Sequence, residues 1–365
     1  MQAAGVKTPD PGPAADTTSP PVSGRGAQSR ALLRPAVIAA LLAFVLLALP
    51  SMLSGQYVDT FQQVAIYSIV ALGLGLLVGR VGMVSLGQGA VLAMGAWVAA
   101  RFLFGTSLPY PVVLLLSGLI TMGLGTLVGL PALRMSGLYL ALITLMLAGA
   151  ITVVLATINF PNGGHGFTGY NGSLVQIPSL RRPAIANSDQ AYLRYCVVVA
   201  ALMFVLVFMH IRARAGRAWA AIRQSESAAL AAGINTTLYK LWAFALASFV
   251  TGVAGGLLAG ADQHLYSFEF KTQDSIILLA VVLMGGAYSL WGAIVAAALI
   301  QLLPTVLHNA GVADDWLTIL FGIGVLQVLT TAPRGLADQV PKDLARLGRR
   351  LKSPLRRTAP SGGDG

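Results

Sequence analysis

The sequence predicts an all-α polytopic membrane protein of about ten transmembrane helices, some discontinuous, with both termini in the cytoplasm. Three observations predict it. Of 365 residues, 56% are hydrophobic and only 10% charged, with a mean hydropathy of +0.75; a soluble domain carries about 25% charged residues. Nine stretches (36–50, 61–79, 83–100, 111–130, 137–158, 195–209, 241–261, 275–310 and 316–331) contain no Asp, Glu, Lys or Arg, and a bilayer helix needs about 20 such residues. The basic residues gather at 212–240 and 334–357, as they do in cytoplasmic loops. A membrane β-barrel is excluded, because its strands would alternate polar and apolar residues.

Residues 1–30, rich in Pro, Gly, Ser and Ala, read as a disordered cytoplasmic tail. The domain after it, 31–335, starts with the run 36–50 behind Arg30 and Arg34; Pro50-Ser51-Met52-Leu53-Ser54 lacks an A-x-A cleavage pattern, so this run is read as a retained first helix. Counting crossings from the inside, the chain emerges near Asp59, returns at Arg80, emerges near Arg101 and returns at Arg134. It then emerges before an outer loop, 159–190, comes back to a basic loop, 211–240, and emerges near Asp262. The 36 residues of 275–310 would make one helix about 54 Å long, too long for one pass. A break at Gly285-Gly286-Ala287-Tyr288-Ser289-Leu290-Trp291-Gly292, on the cytoplasmic side, divides it in two. A tenth helix, 316–331, then returns the basic tail 336–365 to the cytoplasm, where Leu344, Leu347 and Leu351 among Lys and Arg make an amphipathic helix suited to anionic lipid. A similar glycine break falls at Val78-Gly79-Arg80-Val81-Gly82, and interrupted spans of this kind mark binding paths.

Several function classes fall away. The net charge of +11 lies in the loops and tail rather than on a recognition face, so no nucleic-acid partner is expected. Cys196 is the single cysteine and the four histidines are scattered, which leaves no metal site and calls for no cofactor. No G-x-x-x-x-G-K-[ST] phosphate loop occurs, and the spans hold no cluster of nucleophile, base and acid. The chain therefore reads as a non-enzyme. An ion-coupled secondary transporter is the rival from another class, but its proton relays use intramembrane carboxylates, which these spans lack.

Two regions carry candidate function. In 216–234 the Ala, Leu, Gln and Glu content favours one short helix, with Arg223 and Glu226 three residues apart on one face and Gly233 as its cap. A partner protein could grip it, or it could lie on anionic lipid. In the spans, Ser85, Gln88, Tyr139 and Thr144 are uncharged hydrogen-bonding groups that either line a path for small polar cargo or pack the helices together. The glycines Gly163, Gly164 and Gly166 predict local order within the outer loop.

The pattern G-R-x-x-x-A-I-R-x-x-E-x-A-A-x-x-x-G-I from Gly216 to Ile234 resembles the branched-chain amino-acid ABC transporter permease family, LivM type. So do Ser85-Leu86-Gly87-Gln88-Gly89-Ala90 with Gly95-Ala96-Trp97, Gly137-Leu138-Tyr139-Leu140-Ala141-Leu142 with Thr144-Leu145, and Ser275-Ile276 with Gly285, Gly286 and Gly292. The resemblance covers about residues 60–335. It implies a permease subunit in a prokaryotic cell membrane, with ABC ATPase subunits, a second permease subunit (a homo- or heterodimer), membrane lipid and an extracytoplasmic solute-binding protein as partners. It implies ATPase coupling through Arg217, Arg223, Glu226, Ala229 and Gly233. It also implies a substrate path at Ser85, Gly87, Gln88, Tyr139, Thr144, Gly163 and Gly164, and a helix break at Gly285, Gly286 and Gly292. Branched-chain or related amino acids are the implied cargo, with urea or short amides as the alternative. The departures bear on cargo: Ser227 replaces the Glu of a simple E-A-A loop, Asn162 the leading Thr of T-G-G, and Trp97 the Tyr of G-A-Y.

Overall fold

The computed structural model describes residues 55–132, 137–172 and 178–311, with isolated positions besides (46, 135, 316, 319, 322, 323, 326 and 337). The chain divides into units 1–48 and 49–365, and all the helices described here belong to the second. The described residues fold as ten α-helices: α1 Gly55–Gly75, α2 Gln88–Gly105, α3 Tyr110–Ala132, α4 Leu138–Ile158, α5 Asp189–Arg212, α6 Arg214–Gln224, α7 Glu226–Ala231, α8 Thr236–Asp262, α9 Thr272–Gly285 and α10 Leu290–Asn309. Seven of the described helices are long and apolar enough to cross a membrane, α1 through its extension to Val81, then α2 to α5, α8 and α10; α9 is a shorter apolar helix. Eight of the ten expected spans thus have a counterpart. The expected first and tenth, 36–50 and 316–331, lie outside the continuously described residues, as do both tails.

The helices end where their sequences stop supporting them. Ser188 caps α5 by accepting the Ala191 N–H, and Asn235 caps α8 by accepting that of Leu238. After Gly75 the chain winds into a π-helical turn, Leu76–Val81, and stops at Gly82, whose φ of 84° suits glycine. Residues 82–87 are not helical, so the helix of the uncharged stretch 83–100 starts only at Gln88 and runs on past Arg101.

The core is built around α8, which packs against α1, α2 and α3. Small residues let the backbones meet, the usual device where lipid removes the hydrophobic drive between helices. A Cβ on Gly95 of α2 would lie 2.7 Å from Gly252 Cα of α8, and one on Gly255 would lie 2.4 Å from Leu92 O. Ser117 of α3 reaches both carbonyls of this seam, Gly95 O at 2.7 Å and Gly252 O at 2.9 Å. Farther along, Tyr110 donates to Gly256 O at 2.8 Å and Tyr192 to Leu257 O at 2.6 Å, tying α3 and α5 to α8. Large apolar side chains such as Leu127, Met146, Val153 and Leu202 face outward on α3, α4 and α5, as lipid-facing surfaces require.

Two loops occupy opposite ends of α8. The segment α6–α7 leads into its N-terminus. The loop residues 178–187 pack on its C-terminus, where Arg182 donates to Gly260 O and Ala261 O, and Leu180 N–H to Gln263 O. Within that loop Gly164 N–H donates to Gly169 O at 2.6 Å, with Gly163 and Gly166 at positive φ.

Candidate functional site

The expected path residues separate into three places. Ser85, Gln88 and Thr144 come together at the start of α2 and are all buried. Leu86 N–H donates to Thr144 Oγ1 at 2.9 Å, and Thr251 of α8 donates to Gln88 Oε1 at 2.9 Å. With Gly87, Gly125, Ser248 and Phe244 they line a cleft of about 20 Å³, room for about one water molecule. Val91, Leu147, Ala148 and Ile151 complete its lining, so the polar groups sit in a tight and largely apolar cleft. Gly163 and Gly164 sit in the loop at the far end of α8, beside a cavity of about 390 Å³ lined by Phe104, Asn159, Phe160, Tyr170, His264 and Tyr266. Trp97 of α2 reaches this loop, donating to Asn159 O at 2.8 Å and meeting the Phe167 ring. Tyr139 is in neither place: at the first turn of α4 it is 71% exposed. Since α4 is apolar on every side, its sequence does not say which face turns inward.

A larger cavity, about 480 Å³, lies toward the same end and had no prominent sequence signal. Gln63, Asp262, Glu269, Lys271 and Asp274 line it together with apolar Leu92, Leu258, Ile277 and Leu278. Gln63 donates to Asp262 Oδ1 at 2.7 Å, while its own Oε1 is buried without a partner. The cavity thus offers carboxylates, an ammonium and apolar wall in a volume typical of small-ligand sites. The one available clue was the run of charges immediately after α8, which by sequence marks only an outer end. Among the described residues no three His, Cys, Asp or Glu side chains gather as metal ligands would.

The basic loop departs from its expected form. Instead of one helix, α6 ends at Gln224 and α7 starts at Glu226, because Ser225 is extended (φ −161°, ψ 117°) and accepts the Ala228 N–H as an N-cap. Arg223 and Glu226 consequently do not share a helical face, which corrects the expected pairing. Arg223, an exposed residue, lies across the surface of the bundle, donating to Gly79 O at 2.6 Å with its guanidinium 4.4 Å from the centre of the Tyr288 ring. Glu226 instead accepts from Lys240 of α8 at 2.6 Å. Gly233, at φ 79°, closes α7: its N–H donates to Leu230 O and that of Ile234 to Ala229 O, a Schellman pattern. Ala229 is buried and Arg217 exposed, and Leu230, which no motif singled out, is 55% exposed on α7.

The glycine break has the same connection. α9 ends at Gly285, Gly286 takes φ 109° and α10 begins at Leu290. A Cβ on Gly292 would lie 2.0 Å from Gly286 O and one on Gly285 2.4 Å from Gly292 O, so this elbow closes on glycine alone. Through Tyr288 it lies at the α6 end of the molecule.

The sequence profile of a family described as "Branched-chain amino acid transport system / permease component" matches residues 56–329. The high-affinity branched-chain amino acid transport system permease protein LivM of Salmonella typhimurium is 29% identical over 316 residues, covering 80% of this chain and 72% of the relative. The galactofuranose transporter permease protein YtfT of Escherichia coli is 28% identical over 291 residues, covering 76% and 79% respectively. The ribose import permease protein RbsC of Bacillus subtilis is 26% identical over 312 residues, covering 78% and 88%. No solved structure gives a significant match.

Proposed function

Because the chain belongs to the family of branched-chain amino acid transport system permease components, we propose that it is the path-forming subunit of an ABC importer for branched-chain or related amino acids. The ATP-hydrolysing subunits are separate chains that bind the α6–α7 segment on the cytoplasmic side. A second permease subunit completes the path, and an extracytoplasmic binding protein delivers cargo at the end that carries 159–187. The membrane is the cell membrane of a prokaryote.

The observation that carries the cargo class is the 480 Å³ cavity at the delivery end, with Lys271 beside Asp262, Glu269 and Asp274 and an apolar wall behind them. An ammonium pairs with carboxylates and a carboxylate with lysine, and Leu258, Ile277 and Leu278 accept an aliphatic side chain. A neutral sugar would form no ion pair with these charges and gain little from that wall. The tight cleft at Ser85, Gln88 and Thr144 is the narrow part of the path farther in.

A sugar cargo is the second reading, because the ribose and galactofuranose permeases match over comparable lengths. Competition decides between them. Uptake of labelled leucine by the assembled transporter is expected to fall with excess isoleucine and valine and to be unaffected by ribose. Uptake of labelled ribose, with leucine inert, would establish the sugar reading.

A further inference from the structure

Three segments far apart in sequence meet at one side chain. Gly79 belongs to the π-helical turn at the end of α1, Arg223 to the last turn of α6, and Tyr288 to the elbow between α9 and α10. Gly79 lies in the last turn before the helix stops at Gly82, where carbonyls have no intrahelical partner, and Arg223 uses that free acceptor. In an α-helix Met83 N–H would bond Gly79 O; here it bonds Leu77 O at 2.9 Å, and Gly79 O receives the Arg223 guanidinium at 2.6 Å. Arg223 also lies 4.4 Å from the Tyr288 ring centre, a cation–π contact. Beneath it the two interruptions touch directly: a Cβ on Gly79 would lie 1.8 Å from Ala287 O. The Arg223 stem packs on Gly82, with Cγ 3.3 Å from where a Cβ would be. Arginine suits all of these contacts because its planar group both donates and stacks.

We propose that Arg223 is a positioning residue that joins the α6–α7 segment to both helix interruptions, so that a displacement of the segment moves the ends of α1, α9 and α10 as one body. The proposal rests on the reading that α6–α7 is where the ATPase binds. A loop that merely rested on the bundle would slide when pushed. One tied to a π turn and a glycine elbow, two places where the spans are interrupted and can bend, passes the push into the spans.

Two variants of the reconstituted transporter test it, with the ratio of leucine-stimulated to basal ATP hydrolysis as readout. Arg223→Met keeps the stem over Gly82 and removes the guanidinium. The ratio is expected to fall about fivefold or more, the lower end of couplings between linked sites, while the ATPase still co-purifies. A Gly82→Cys/Arg223→Cys pair restores the tie covalently, because the two Cβ positions are 3.9 Å apart, within disulfide range, and the native Cys196 is buried. The ratio is expected to be low in the reduced pair and to recover on oxidation, with Gly82→Cys alone controlling for strain at that positive φ. A wild-type ratio in Arg223→Met, or an oxidised pair no better than the reduced one, would overturn the proposal. Leu230→Asp reports separately on the underlying reading: undiminished ATPase co-purification in that variant would show that α6–α7 is not the docking segment.

Discussion

Replacing Gly255 by Ala tests the seam on which the whole arrangement hangs. The added methyl would sit 2.4 Å from Leu92 O and 2.5 Å from Ala96 N, both backbone atoms of α2. Ordinary contact needs about 3.4 Å, so α2 and α8 must separate by about 1 Å. Overpacking of this kind costs about 1–3 kcal/mol. The shift also strains the Ser117 hydroxyl bond to Gly95 O and Gly252 O and the Thr251–Gln88 bond, each worth about 0.5–1.5 kcal/mol. The expected loss is about 2–5 kcal/mol, read as a clear drop in the thermal midpoint of the detergent-purified chain with leucine uptake reduced in step. Gly123→Ala is the control: nothing lies within 4 Å of its added methyl, and it exchanges a poor helix former for a good one, so no destabilisation is expected. A Gly255→Ala midpoint indistinguishable from that of Gly123→Ala would refute the packing argument.

Glu226→Lys sets two cations face to face at Lys240 and is expected to cost about 1–2 kcal/mol, the pair being half-exposed on the Glu226 side. ATPase co-purification should fall, and the swap Glu226→Lys/Lys240→Glu should restore it. Gly164→Val drives its side chain into the Tyr170 backbone, 2.5 Å from where a Cβ would start; membrane insertion is expected to persist while uptake falls severalfold. Lys271→Met removes the ammonium lining the 480 Å³ cavity, and the leucine concentration giving half-maximal uptake is expected to rise. Thr144→Val removes the acceptor of Leu86 N–H and is expected to slow uptake, whereas Tyr139→Phe, at an exposed position, is expected to leave it unchanged.

What was legible in the sequence was local. Uncharged runs give the spans because the bilayer excludes charge, and the glycines give the elbow because no other residue fits where the Cβ atoms of Gly285 and Gly292 would fall and Gly286 takes φ 109°. Gly233 was legible as a cap for a different reason: its φ of 79° suits glycine, although a Cβ there would meet nothing. Ser225 was legible in principle: a serine followed by Glu226 is an N-cap signal, but the surrounding alanines speak for uninterrupted helix. What could not be read was tertiary. Arg223 finds its partner 144 residues away at a carbonyl in the last turn before Gly82; the glycine break there was legible, but not which side chain would meet it. Asp262, Glu269, Lys271 and Asp274 meet around one cavity only because the chain doubles back after α8. The exposure of Tyr139 was not legible because an all-apolar helix has no sequence-visible inner face.

The most direct test is leucine uptake by proteoliposomes holding the complete transporter, with ATP inside, outside or omitted, and with the ATPase subunits present or withheld. Accumulation is expected only when the ATPase subunits are present and ATP is on their side, and a protonophore should leave it unchanged. Accumulation by the permease without the ATPase, driven by a proton or sodium gradient, would contradict the importer function and make the chain a secondary transporter.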